Sequence, residues 1–167
     1  MKYVEVLYNI PDLDDTGVRR GTELALKYID IHTIWLPSWL STYRDNRGKS
    51  RKDFRDFSDL RPLRRDFLNL LELARPAKFW TQEWNEKKKR WTYDIDLDCL
   101  IYFLKLNGYV ILRDQDSDTS IFVHIKDNIV ERIRAKDVKV FLREWAEETS
   151  RPRDLRNLIL NSPRTAD

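Results

Sequence analysis

The sequence predicts a mixed protein, an α/β unit followed by a small α+β domain, and three observations carry that expectation. An apolar run from Tyr3 to Ile10, helical spacing through Gly17 to Asp30 and a second apolar run, IHTIWLP, give strand, helix, strand with short connections. That order is the signature of a parallel sheet unit, whose ligands sit beyond the C-terminal ends of the strands. From about Asp94, a helical segment, three short strand-like runs and a second helical segment follow. Finally, 35% charged residues with only four glycines favour helices with long polar faces.

Each element has its own signal. Tyr3 to Ile10 is rich in Val, Leu, Ile and Tyr and reads as a buried strand. Val18, Gly21, Ala25 and Ile29 recur on one helical face, with Asp15 or Thr16 available as N-cap. Pro37 stops the next strand, and the polar loop YRDNRGKSRK leads into KDFRDF. If that segment starts a helix, Asp53 and Asp56 share its first turn and face the same side. Phe67, Leu70, Leu71 and Ala74 form the stripe of a helix from Arg64 that Pro76 ends.

Ala77 to Asp94 has no clean period and reads as a connector bearing Trp80, Trp84, Trp91 and the basic run Lys87 to Arg90. Leu97, Leu100, Ile101 and Leu104 mark a helix that stops at Asn107 and Gly108. Tyr109 to Arg113, Ser120 to Ile125 and Ile129 to Ile133 are the expected strands, the last two joined by Lys126, Asp127 and Asn128. Val138, Phe141, Leu142 and Trp145 repeat at helical spacing, and one more helical turn is expected at Leu155 to Leu160. The expected organisation is an α/β unit over 1–60, a helix and basic connector over 61–93, an α+β domain over 94–149 and a tail over 150–167.

Composition narrows the chemistry. At 167 residues, with 41% hydrophobic and 12% aromatic content, the chain can bury a core and is not a solvated tail. No apolar run approaches the roughly 18 residues of a membrane span, so a soluble, cytoplasmic protein with no membrane partner is expected. Cys99 is the only cysteine, which leaves no internal disulfide and no cysteine zinc cluster. His32 and His124 are the only histidines, and His124, inside SIFVHI, reads as an ordinary strand residue. Any metal must then be held by carboxylates, which selects magnesium or manganese over zinc.

The net charge of +3 hides an asymmetry: Arg44 to Arg90 holds 15 Lys and Arg against 8 Asp and Glu, a surplus of +7, which leaves −4 for the rest. Such a basic stretch can track a phosphate backbone, although a solvated helix face is the commoner explanation. The acidic residues are placed differently. Asp12 and Asp14 end the first strand-like run, with Gly17 closing the turn. Two hard oxygen ligands on one rim of a sheet can hold a divalent ion against a phosphate. The plain alternative is an acidic turn after a strand.

In their order, Asp12, Asp14 and Gly17, then Lys52, Asp53 and Asp56, resemble the second half of a Toprim domain. Toprim is the metal-binding α/β fold shared by bacterial-type primases, topoisomerases and some nucleases. PDLDDTG is similar to the family's strand-terminal Asp-x-Asp element and KDFRD to the later acidic motif of its primases, with IHTIWLP correctly between them. The run FLNLLELARPAKFW, with the helix, three strands and helix beyond it, looks like the linker region of phage and mobile-element primase-helicases.

The resemblance implies a DNA primase or primase-helicase that acts by two-metal nucleotidyl transfer. Magnesium or manganese would be held by Asp12, Asp14, Asp53 and Asp56, with Asp12, Asp14 and Lys52 in catalytic roles. For Lys52 the implied role is to neutralise a triphosphate oxygen, against the alternative of a solvated lysine before a helix. The implied partners are DNA, single-stranded, and nucleotides, with a replicative helicase or the ATPase part of the same protein. It also implies a fragment, inactive alone, because the family's glutamate-bearing strand would precede Met1 and Glu5 lies within the first strand. No G-x-x-x-x-G-K-[ST] loop occurs, so no ATPase is expected in this chain itself.

Two other classes remain open. One is a non-catalytic module that binds single-stranded nucleic acid through Lys87, Lys88, Lys89, Arg90 and Trp91, cations tracking phosphates while rings stack on bases. The spacing of Trp80 and Trp84 is that of neighbours on a helix face, and core packing is the expectation for both. The other class is a Toprim-type nuclease, which shares the acidic pair.

Overall fold

The computed structural model of the chain describes residues 4–113 and 120–161. Among them the backbone forms six α-helices, one 3₁₀ turn and three small sheets, a mixed α/β architecture as expected. No helix among the described residues is long and apolar enough to cross a membrane. The chain divides into two compact units, Met1–Lys78 and Phe79–Asp167.

In the first unit a small sheet orders β1 (Tyr8–Asn9), β2 (His32–Thr33) and β3 (Arg75–Pro76), with β1 parallel and β3 antiparallel to β2. The His32 amide donates to Leu7 at 3.0 Å and the Ile34 amide to Asn9 at 2.8 Å, the slanted pattern of a parallel ladder. Helix α1 (Asp15–Lys27) makes the crossover. The strands are much shorter than the apolar runs predict. Val4, Val6 and Leu7 are exposed, with no strand or packed face among the described residues to cover them, and Tyr3 lies outside those residues. IHTIWLP leaves the ladder after Thr33, sends Ile34 and Leu36 into the interior and passes through Pro37 into the 3₁₀ turn Ser38–Thr42.

Asp14, not Asp15 or Thr16, is the N-cap of α1: its backbone is extended and its side chain accepts from the Gly17 amide, whereas Asp15 and Thr16 already lie in the helix. Helices α2 (Phe54–Asp59) and α3 (Arg64–Leu73) follow. Leu36, Leu40 and Phe57 form a buried cluster in this unit, and Ile10, Leu13, Leu60, Phe67 and Leu70 pack against it. Leu13 therefore holds the loop between Asp12 and Asp14 onto the same core that seats α2. This packing brings the two acidic stretches close together.

The second unit opens with a hairpin where the sequence reads as a connector. Strands β4 (Trp80–Asn85) and β5 (Arg90–Ile95) pair antiparallel in full register from Trp80↔Ile95 to Asn85↔Arg90. Then come α4 (Leu97–Leu106), the antiparallel meander β6 (Tyr109–Arg113), β7 (Ser120–Lys126) and β8 (Ile129–Ile133), and α5 (Ala135–Glu148). Gly108 ends α4 at φ +82°, and a Cβ there would lie 2.2 Å from the Ile125 carbonyl oxygen, so only glycine fits. His124 stacks on Tyr109 at 4.4 Å within the sheet, the ordinary strand position expected for it.

The tail expected to hold one turn is a full helix, α6 (Arg153–Asn161), which packs on α5 and β5 and buries Leu155 and Ile159. Phe79, Phe103 and Trp145 centre the core of this unit, with ring centroids 4.8–5.4 Å apart.

Candidate functional site

The acidic residues are delivered by a turn whose shape depends on one glycine. A Cβ on Gly17 would lie 2.5 Å from the Asp12 carbonyl oxygen and 2.6 Å from the Asp12 Cβ, so α1 can begin this close to Asp12 only with glycine there. One turn later, a Cβ on Gly21 would meet the Pro11 ring at 2.7 Å. The two glycines thus seat α1 directly on Pro11 and Asp12. The Leu13 amide donates to the Lys52 carbonyl oxygen at 2.8 Å, which fixes the start of KDFRD against this turn.

Lys52 reaches both acids. Its Nζ donates to Asp14 Oδ2 and lies 3.6 Å from Asp12 Oδ2, while Asp14 Oδ1 accepts the Gly17 amide at 2.8 Å. The Lys52 hydrogen bond, and after it the Gly17 amide, hold the Asp14 carboxyl below the usual carboxylate range; the same contact pushes the Lys52 ammonium up. All three side chains are roughly half-exposed, so solvent screens the pairing. The arrangement is one cation between two carboxylates at the C-terminal end of a parallel strand pair.

Asp53 and Asp56 are placed differently from the metal rim that the resemblance implies. Asp53 is the N-cap of α2 and accepts the Asp56 amide at 2.7 Å. Asp56 reaches back to the Lys52 amide at 2.8 Å and the Asp53 amide at 3.4 Å, and its other oxygen lies 3.6 Å from the Arg51 guanidinium. This reciprocal capping box satisfies the free amides at the helix start. Among the described residues, no group of three or more His, Cys, Asp or Glu is placed to hold a metal ion. Asp12 and Asp14 share one cation, and Asp53 and Asp56 support the residue that supplies it.

An oxygen-only pair is the donor type that hard divalent ions take; here the Lys52 ammonium occupies the space between the two carboxylates.

The predicted nucleic-acid residues lie on the hairpin. Lys87, Lys88 and Lys89 form its turn, with Arg90 and Trp91 opening β5, and all five are exposed. The Asn85 side chain accepts the Lys88 amide at 2.9 Å and Lys89 takes φ +46°, which closes the turn. Core packing holds for Trp80, which is 6% exposed, but not for Trp84, which is 45% exposed. In a strand, residues four apart share a face, yet Trp84 stands farther out along the hairpin than the core reaches. Directly opposite it is Trp91, ring centroids 5.6 Å apart and edge to face.

Sequence reasoning missed this Trp84–Trp91 partnership. The signal lay in the even spacing of Trp80, Gln82 and Trp84 against Trp91, Tyr93 and Ile95. It also missed a cleft of about 390 Å³ in the first unit, lined by residues that include Trp39, Tyr43, Leu60, Pro62 and Leu70. Comparison with family models, curated proteins and solved structures finds no match to this chain.

Proposed function

We propose that the chain is part of a DNA primase or primase-helicase of phage or mobile-element type, carrying the Asp-x-Asp half of a nucleotidyl-transfer site. One observation carries the reading: Lys52, distant in sequence, lies between Asp12 and Asp14 at the end of the parallel strand pair. Three residues named for one chemistry share one place.

Within this reading Asp12 and Asp14 are the residues that would hold Mg²⁺ or Mn²⁺. When bound, such an ion supplies Lewis-acid chemistry, acidifying a primer 3′-hydroxyl and neutralising charge on the transferred phosphoryl group. Lys52 would meet the triphosphate of a bound nucleotide as a point charge. Asp53 and Asp56 keep the first turn of α2 formed, so that Lys52 starts from a fixed backbone. The Gly17 amide holds Asp14 in one orientation throughout.

The experiment is binding of a fluorescent nucleoside triphosphate with and without Mg²⁺. The wild-type chain should show weak, Mg²⁺-dependent binding that Asp12→Asn and Asp14→Asn each abolish. Binding that ignores both the ion and the two substitutions overturns the reading.

A further inference from the structure

We propose that the β4–β5 hairpin is a binding site for single-stranded nucleic acid, in which Trp84 and Trp91 stack on bases while Lys87 to Arg90 contact phosphates. The proposal stands apart from the acidic pair, since every group it uses belongs to the second unit.

The register divides the hairpin into two unlike faces. Trp80, Gln82 and Trp84 stand opposite Ile95, Tyr93 and Trp91 on one face, while Thr81, Glu83 and Asn85 stand opposite Asp94, Thr92 and Arg90 on the other. The aromatic face is anchored at its base, where Trp80 and Ile95 are buried at 6% and 3% exposure. Its outer end is open to solvent, Trp84 at 45% and Trp91 at 48% exposure. An aromatic pair across strands already stabilises a hairpin. Core packing alone, however, would have buried these rings, as it buries Trp80.

Charge points to the kind of occupant. The turn beside the two rings carries three consecutive cations, Lys87 to Lys89, and Arg90 opens β5 on the opposite face, with Glu86 offsetting one charge. Among the described residues none of Lys87, Lys88, Lys89 or Arg90 pairs with a carboxylate, and all four are exposed. Aromatic faces next to a surplus of cations are the two components with which proteins hold single strands of any sequence. A duplex offers phosphates but keeps its base faces stacked, so only a single strand engages both components. DNA and RNA single strands share this chemistry, and the measurement separates them.

The test is fluorescence anisotropy of labelled oligothymidylate and oligouridylate with the full chain, against a duplex of equal length and a poly-glutamate competitor. Single strands should bind more tightly than duplex, and poly-glutamate should compete poorly because it has no base faces. Preference for oligothymidylate or oligouridylate assigns the site to DNA or RNA.

Trp84→Leu should weaken binding roughly 5- to 150-fold, the range found for loss of one stacked base, while Trp84→Phe retains most of it. Changing Lys87, Lys88 and Lys89 together to Ala should lower the salt slope by about 2. Arg19→Ala with Arg20→Ala, exposed on α1, should leave affinity unchanged. Hairpin amide resonances identify any variant that loses the fold itself, and for that variant the Phe substitution decides. Equal affinity in Trp84→Leu with the hairpin intact, or equal competition by poly-glutamate, overturns the proposal.

Discussion

The Leu13 amide donates to the Lys52 carbonyl oxygen at 2.8 Å, between the two aspartates that the Lys52 side chain serves. Backbone and side chain of one lysine thus bind the same turn by separate means. Removing the ammonium leaves the backbone link in place, so side-chain substitutions at Lys52 probe charge with little disturbance of the loop. Asp14 lacks that independence, because its carboxylate also caps α1.

Gly17→Ala should destabilise the first unit. Alanine favours a helix over glycine by about 1 kcal/mol, but its Cβ would lie 2.5 Å from the Asp12 carbonyl oxygen. The turn must shift, at a cost of about 1–3 kcal/mol from overpacking. Urea denaturation should therefore show a lower midpoint for Gly17→Ala. A midpoint at or above that of wild type would mean that α1 does not rest on Asp12.

Asp53 separates capping from metal binding. Asp53→Ala should cost about 1 kcal/mol of stability through loss of the cap, whereas Asp53→Ser should restore most of it, since serine caps as well. Denaturation midpoints of the two variants provide the measurement. If Asp53→Ser is as unstable as Asp53→Ala, the carboxylate does more than accept the Asp56 amide.

The Asp14–Lys52 contact has a defined pH window. The Asp14 carboxyl is lowered by Lys52 and the Gly17 amide, so its contribution is present above the unfolded value and is lost as pH falls through the folded one. Lys52 is raised by Asp14, so its contribution is full below the unfolded value and is lost as pH rises through the folded one. The stability difference between wild type and Lys52→Met should be flat from about pH 5 to pH 9.5 and shrink on either side. It should also be small throughout, because the pair is exposed. Thermal denaturation across pH checks both limits.

Much of the second unit was legible from periodicity, because α4 and α5 bury one clean face each and Gly108 marks a stop that no other residue could make. The hairpin was not. Thr81, Gln82, Glu83 and Trp84 are all exposed, so burial does not alternate along β4, and the turn has Lys89 at positive φ where an Asn-Gly signal would have announced it.

Asp53 and Asp56 could be read as a shared helix turn from their spacing, and the structure gives them that turn. Their use as a reciprocal cap follows from the extended backbone at Asp53, which spacing alone does not reveal. The meeting of Lys52 with Asp12 and Asp14 depends on long-range packing of Leu13 against the cluster that seats α2, and no local pattern encodes it.

The most direct test of the acidic site is Mn²⁺ titration of the chain, followed by electron paramagnetic resonance of the free ion, with Asp12→Asn/Asp14→Asn and Lys52→Met alongside. The ammonium between the carboxylates should compete with the ion, so wild type binds weakly, Lys52→Met binds severalfold more tightly and the double Asn variant not at all. No uptake at millimolar Mn²⁺ by either wild type or Lys52→Met would contradict the account, leaving Asp12, Asp14 and Lys52 as a surface ion-pair cluster.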